Sequence, residues 1–391
     1  MLRIILKKGR EVPVLRGHPW IFSGAIEEID GNANAAGVAD VFDWEKHWIA
    51  RGLFSPKSQI RVRLLIWQKE EIDGDFFFRR ISRSLSIRES ILSRVTNAYR
   101  IVNGEGDFLP GLIVDRYSEF LVCQSFTAGM DCFKPLIVES LSNLLTAKGI
   151  FEKSEGRVRD EEGIEPSVGV LAGEPPPELI AIEENGFKFV IDLRRGQKTG
   201  FFLDQRDSRA FLSTIARDRK ILNCFSYSGA FSVYALGGGA KEVVSLDSSK
   251  SALELARRNL ALNGFETGGS ELLKGDVFTY LKECDAAFDI IVLDPPSLAR
   301  KRGDIDGATG GYKFLNLHAL RHLRPGGFLL TFCCSQHLSI DLFQKVVFGA
   351  AIDAPRKVAV LKRLSQPIDH PVSLHHPEGE YLKGLVLRVL D

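Results

Sequence analysis

The sequence predicts an α/β domain with a doubly wound, Rossmann-like sheet over residues 178–391, preceded by a small α+β unit over residues 71–177 and a small β barrel or sandwich over residues 1–70. Three observations predict it. Between Ile221 and Ser335 short apolar runs end in polar or glycine-containing turns, with helical patterns between them, as βαβ units require. Residues 1–70 instead hold short runs separated by polar turns such as Asp30-Gly-Asn-Ala-Asn34, together with all four tryptophans, at 20, 44, 48 and 67. Finally, 391 residues exceed one ordinary core, so two or three domains are expected.

In chain order, residues 3–6, 12–15, 37–42, 48–53 and 60–65 read as strands, and the tryptophans as large side chains filling a small core. Residues 75–95 read as a helix with Phe77, Ile81, Leu85, Leu92 and Val95 on one stripe. Its other face holds Arg79, Arg80, Arg83, Arg88 and Arg94 against the single Glu89. A solvated face ordinarily mixes signs, so this one is a candidate nucleic-acid surface. Strands are expected over 99–102, 112–115 and 119–124, then a helix over 131–147 and a strand over 150–153. Residues 155–177, with Asp160-Glu-Glu-Gly163 and Pro175-Pro-Pro177, read as a polar loop or linker. Residues 178–193 alternate around Asn185-Gly186, a hairpin signal. The glycine-bracketed string Lys198-Thr-Gly-Phe-Phe202 follows, then a helix over 205–216 whose leading acid, Asp204, suits the helix dipole.

The C-terminal half carries the chemistry. Lys220-Ile-Leu-Asn223 is a short strand, broken by the turn through Phe225, Ser226, Tyr227 and Gly229 and followed by a helix from Ala230. A second strand ends on Asp247, 18 residues beyond Gly229, and the next helix places Leu253, Ala256 and Leu260 on one face. Ligands of such sheets bind at the carboxyl ends of the strands, where an acid near this spacing accepts the two hydroxyls of an adenosine ribose. A dinucleotide site would need several glycines to cradle two phosphates. This turn has one, flanked by bulky Phe225 and Tyr227. A weaker third strand over 270–274 leads to Asp276, a polar partner for an adenine, and a fourth ends in Asp294-Pro-Pro296. Nucleoside contacts without a diphosphate site point to S-adenosylmethionine.

Composition narrows the class. With 45% hydrophobic and 26% charged residues the chain is of ordinary globular type, and its net charge of +1 means that any nucleic acid is met by a local basic surface. The six cysteines form no Cys-x-x-Cys pair, so neither structural zinc nor disulfides are expected, which fits a reducing cytoplasm. No apolar run reaches membrane-spanning length, so no membrane partner is expected. His370, His375 and His376 match no familiar metal spacing and are expected at the surface.

The chain resembles the PUA-domain-containing, S-adenosylmethionine-dependent RNA methyltransferases typified by the 23S ribosomal RNA cytosine-5 methyltransferase I family. The resemblance rests on Arg16-Gly-His-Pro-Trp-Ile-Phe-Ser-Gly24, Asn103-Gly-Glu-Gly-Asp-Phe-Leu-Pro-Gly-Leu-Ile-Val-Asp-Arg-Tyr117, Gly196-Gln-Lys-Thr-Gly-Phe-Phe-Leu-Asp-Gln-Arg206, Asp294-Pro-Pro296, Gly311-Tyr-Lys313, Cys334-Ser335 and Pro377-Glu-Gly-Glu-Tyr-Leu-Lys-Gly384. It implies a class I methyltransferase domain with a mixed seven-stranded sheet, an N-terminal PUA barrel, and 23S ribosomal RNA as partner. Arg51, Lys57, Arg61 and Arg63 would then contact phosphates. Residues 196–206 would lie across the cofactor pocket, making Phe201 and Gln205 cofactor contacts, with Asp247 at the ribose, Asp276 near the adenine, and the first turn with Asp294 at the methionine end.

Methylating C5 of cytosine requires a nucleophile at C6, because C5 is not nucleophilic in the aromatic ring. Cys334, at the end of the apolar strand from Gly327, is the candidate. Alternation along a strand turns Cys333, where the family more often has serine, away into packing. Asp294 is the candidate partner of the cytosine amine or N3. Tyr312 and Lys313, in the connection between the fourth and fifth strands, are candidates to stack on or neutralise a flanking nucleotide. The group that removes the C5 proton stays unassigned, since Pro296 is followed by Ser297 and not cysteine. Two other readings remain open: an N-methyltransferase acting on guanine or adenine, and a non-catalytic RNA-binding assembly factor. The assembly state stays open between monomer and homodimer.

Overall fold

The structure, a computed structural model, describes residues 2–391 except 94, 267 and 300, and the backbone alone of residue 302. The chain divides into two compact units. The first holds residues 1–180, 192–201 and 368–379, and the second residues 181–191, 202–367 and 380–391.

In the first unit a six-stranded sheet runs in the spatial order Trp20–Phe22, Ile60–Ile66, Trp48–Phe54, Gly37–Phe42, Leu2–Leu6, Ile26–Asp30. Ile4, Leu6, Val41, Ala50, Phe54 and Val62 fill its core. Residues 12–15 form a short helix and not the expected strand, because Pro13 has no N–H for a ladder but fits a first helical turn. None of the four tryptophans is fully buried, and Trp44 is exposed. The indoles of Trp20, Trp48 and Trp67 instead donate to Glu105, Asp40 and the Val14 carbonyl at 2.8, 2.8 and 2.7 Å. Only the bond from Trp48 joins two strands; those from Trp20 and Trp67 reach helical segments by the indole's polar edge.

The helix Gly74–Ile91 is capped by Asp73, which accepts from Phe76 N, and buries Phe77, Ile81 and Leu85 as expected. A second, five-stranded sheet has the order Ser167–Gly173, Gly149–Ser154, Phe120–Ser125, Leu112–Tyr117, Ala98–Asn103. Phe77, Ile81 and Leu85 pack into one core with Ile101, Leu112 and Val114 from that sheet and Leu92 lies half-buried against it, whereas the helix ends at Ile91 and Val95 of the expected stripe is exposed. The expected helix over 131–147 is two helices, Ala128–Asp131 and Lys134–Leu144, since Pro135 lacks the N–H that would continue the first. The expected linker over 155–177 holds the helix Arg157–Glu162 and an edge strand whose Val168 and Val170 face solvent.

The hairpin Ile180–Glu184 and Phe187–Ile191, in the second unit from Ala181 on, turns at Asn185 and Gly186, whose φ angles are 52° and 85°. The main sheet of that unit has seven strands: β1 Lys220–Cys224, β2 Glu242–Asp247, β3 Ser270–Lys274, β4 Phe288–Leu293, β5 Leu323–Cys333, β6 Val358–Leu364 and β7 Lys383–Val389. The order is β3-β2-β1-β4-β5-β7-β6, with β1 to β5 parallel and β7 antiparallel to both neighbours. Leu222, Ile291 and Leu329 face one core while Ile221, Ile290 and Leu330 face the other. Both faces are covered, so the central strands read as continuous apolar runs. No described helix is long and apolar enough to cross a membrane.

Candidate active site

At the carboxyl end of β1 the chain turns sharply. Phe225, Tyr227 and Gly229 adopt φ of 58°, 46° and 72°, a left-handed backbone that side chains other than glycine rarely accept. The turn is held from several sides. Ser226 N donates to Leu246 O at 3.1 Å, Tyr227 N to Asp247 Oδ2 at 2.9 Å, and Asn259 Nδ2 to Ser228 O at 2.9 Å. A Cβ at Gly229 would lie 2.8 Å from that of Ala256, so only glycine lets the turn approach the following helix.

Asp247 is half-buried, and each of its oxygens accepts one backbone N–H, from Tyr227 and from Ser249 at 2.8 Å. A carboxylate oxygen has two lone pairs, so both can still accept from a ribose diol. Asp276 is exposed, and its Oδ1 caps the helix Val277–Glu283 through Thr279 N at 2.9 Å. Phe278, two residues on, stacks edge-on to Phe225. Asp294, just past β4, accepts from Gln205 Nε2 at 3.0 Å. Among the described residues the buried Ser226 Oγ and Gln205 Oε1 have no hydrogen-bond partner, which suits a polar ligand at these strand ends. The residues therefore fit S-adenosylmethionine, and Asp247 keeps acceptor capacity for a ribose diol.

A buried network positions the segment that carries Gln205. Glu184, Arg209 and Tyr234 are all but fully buried. Arg209 donates to Glu184 at 2.7 Å and to Phe202 O at 2.9 Å, while Tyr234 donates to Glu184 Oε1 at 2.9 Å. Burial, then the Glu184 charge, push the Tyr234 phenol well above its ordinary pKa. Phe202 meets Tyr227 edge-on with ring centroids 5.3 Å apart. Asp204 caps no helix: it is buried and accepts from Tyr381 Oη at 2.8 Å. Phe201 belongs to the first unit, where it is buried and its carbonyl accepts from Tyr117 Oη.

Cys334 lies just beyond β5, half-buried, its Sγ 3.8 Å from the carbonyl oxygen of Pro295. Leu293 pairs in register with Thr331, so the ends of β4 and β5 bring Asp294 and Cys334 to one crevice. Cys333 is fully buried in the core, as alternation requires.

Several expected residues lie elsewhere. Tyr312 and Lys313 sit inside the 18-residue helix Ile305–His322. Tyr312 is fully buried against Phe343, so it cannot stack on a nucleotide, and Lys313 pairs with Asp353 at 2.7 Å. Of the basic helix, Arg88 is fully buried and paired with Asp107, donating also to Asp369 O at 2.9 Å. Arg80 is half-buried over the Phe76 ring, Arg79 pairs with Glu70, and Arg83 is exposed; Arg94 lies outside the described residues. Arg51 and Arg63 are also inward, paired with Asp40 at 2.8 Å and Glu162 at 2.9 Å, whereas Lys57 is exposed and Arg61 half-buried. His370 and His376 are buried and only His375 is exposed. The sequence reading assigned no role to Lys383 or Asn259, although Lys383 falls inside the string 377–384.

A family model described as S-adenosylmethionine-dependent methyltransferase matches residues 139–388, and one for a PUA-like domain matches residues 4–67. Proteins named ribosomal RNA large subunit methyltransferase I are 46% identical to this chain: that of Tolumonas auensis over 99% of each chain, and that of Aeromonas salmonicida over 98%. Among solved structures, a putative methyltransferase complexed with SAH superposes with a TM-score of 0.88 at 25% identity, covering all of both chains. A putative S-adenosylmethionine-dependent methyltransferase from Streptococcus mutans gives 0.86 at 24% identity, again over all of both.

Proposed function

Because the chain belongs to the ribosomal RNA large subunit methyltransferase I family of S-adenosylmethionine-dependent methyltransferases, we propose that it methylates C5 of a cytosine in 23S ribosomal RNA through a covalent adduct at Cys334. The observation that carries this reading is the half-buried Cys334 thiol, placed one strand from Asp294 with its Sγ against the Pro295 carbonyl.

The Cys334 thiolate adds to C6, and the electron pair displaced to C5 makes that carbon the nucleophile. Asp294 holds the exocyclic amine, or N3 when protonated, and so draws charge into the ring as C6 is attacked. S-adenosylmethionine, when bound, would supply an electrophilic methyl on its sulfonium, so that C5 gains the methyl as the S–CH3 bond breaks and the thioether is the leaving group. A base then takes the C5 proton, the electron pair reforms the C5–C6 double bond, and the Cys334 thiolate departs. Bisulfite mapping of ribosomal RNA from a deletion strain tests the product. One newly unmodified cytosine in 23S RNA is expected, and an unchanged map overturns the assignment.

Two further results are expected. Asp247→Ala weakens cofactor binding at least tenfold, since a hydrogen bond to a charged acceptor contributes about 1.5–3 kcal/mol; wild-type affinity by calorimetry would remove Asp247 from the ribose. The RNA surface reduces to exposed cations of residues 57–83, chiefly Lys57, Arg79 and Arg83. Each of Lys57→Ala and Arg83→Ala should lower the salt dependence of RNA binding by roughly 0.7–0.9 of a log–log unit. An unchanged slope places the RNA elsewhere.

A further inference from the structure

Lys383 opens β7 and stands opposite Cys333 in register across from β5. The residue is only 6% exposed, and its Nζ donates to the Ser335 carbonyl at 2.7 Å and the Tyr381 carbonyl at 3.1 Å. Among the described residues no carboxylate forms an ion pair with it. An ammonium held only by carbonyls in a poorly solvated place is costly to the fold. The groups that feel its charge are the thiols of Cys333 and Cys334 and the Glu380 carboxylate, while burial draws its pKa below the ordinary lysine value.

The surroundings say which of these groups the charge serves. Cys333 points into the apolar core, whereas Cys334 is half-buried at the strand end. Tyr312, from the helix Ile305–His322, faces both thiols and is pushed well above its ordinary pKa, by burial first, so it stays neutral. A carboxylate at Asp294, one residue before the carbonyl that Cys334 touches, has the same sign as a thiolate and disfavours it. A thiol here needs a compensating cation to ionise near neutral pH.

We propose that Lys383 is the positioning residue for the nucleophile: its ammonium favours the Cys334 thiolate, the thiol proton passing to water, and its bond to the Ser335 carbonyl holds the turn that presents the sulfur. The proposal rests on the reading of Cys334 as the nucleophile. It is tested on the full-length protein by iodoacetamide alkylation across pH, following the Cys334 peptide by mass spectrometry, because the other five cysteines also react or stay silent on their own terms.

An opposite charge at close range shifts a titration by about one unit or more. The Cys334 midpoint should therefore rise by about one pH unit in Lys383→Met and stay near wild type in Lys383→Arg. Methyl transfer by Lys383→Met should fall roughly tenfold at neutral pH and recover as pH is raised, following the thiolate fraction. Calorimetric binding of S-adenosylmethionine reports folding; should Lys383→Met not bind, Lys383→Gln, which keeps a donor for Ser335 without the charge, takes its place. An unchanged midpoint in the neutral variant, or Lys383→Arg shifting as far as Lys383→Met, overturns the proposal. Methylation by Cys334→Ala would remove the nucleophile reading itself, and the alkylation midpoints still report the Lys383 coupling separately.

Discussion

Cys334→Ala should lose methyl transfer by a factor on the order of 10⁴ or more while binding S-adenosylmethionine as the wild type does, because a nucleophile acts only in the reaction. Cys333→Ala is the control. Its side chain is fully buried on the core side of β5, so it should keep most of its activity and lose only stability. RNA carrying 5-fluorocytosine sharpens the comparison. After methyl transfer the C5 substituent to be removed is fluorine, which cannot leave as a cation, so the adduct is trapped. Wild type and Cys333→Ala should each give a denaturation-resistant protein–RNA band, and Cys334→Ala none. Methylation or an adduct in Cys334→Ala would sink the covalent mechanism and favour an N-methyltransferase, for which that thiol is dispensable.

The largest loss of stability is expected at Arg209→Leu. Glu184 is then left fully buried without its bidentate partner, and removing one member of such a pair costs about 3–5 kcal/mol. Urea denaturation of the single variant should show a much lower midpoint. Arg209→Leu with Glu184→Leu should recover most of the loss, because no uncompensated charge then remains. The same pair sets Phe202, whose carbonyl accepts from Arg209 and whose ring meets Tyr227, so cofactor affinity should fall in the single variant as well. A single variant as stable as wild type would show that the pair does not hold this segment.

Residues whose role depends on periodicity were legible beforehand. β1, β2, β4 and β5 stand where their apolar runs placed them, with Asp247, Asp294 and Cys334 at the strand ends, because a strand buried on both faces marks its own length and a polar residue marks its exit. The hairpin at Asn185-Gly186 was equally plain, since its turn needs two left-handed residues and that pair adopts them most readily. Short elements were less visible. Ile26–Asp30 buries no residue fully, so its sequence carries no alternation to read.

What the sequence by itself determined is therefore the sheet, the order of its carboxylates along the chain, and the cysteine just beyond the end of β5. Tertiary structure alone decided which charges face water. Arg51 and Arg63 look like solvated or RNA-facing cations in a one-dimensional pattern, but each, like Arg88, which falls on the apolar stripe three residues after Leu85, is buried against a carboxylate. Arg88 also reaches the carbonyl of Asp369, 281 residues away in sequence. The same holds for Tyr312, taken into a helix core, and for Lys383, brought under the Cys334–Ser335 turn by a strand formed 48 residues after Ser335. The physical reason is that hydrophobic period is a local property of the chain, whereas the partner of a buried charge is chosen by packing between segments whose separation in sequence carries no signal.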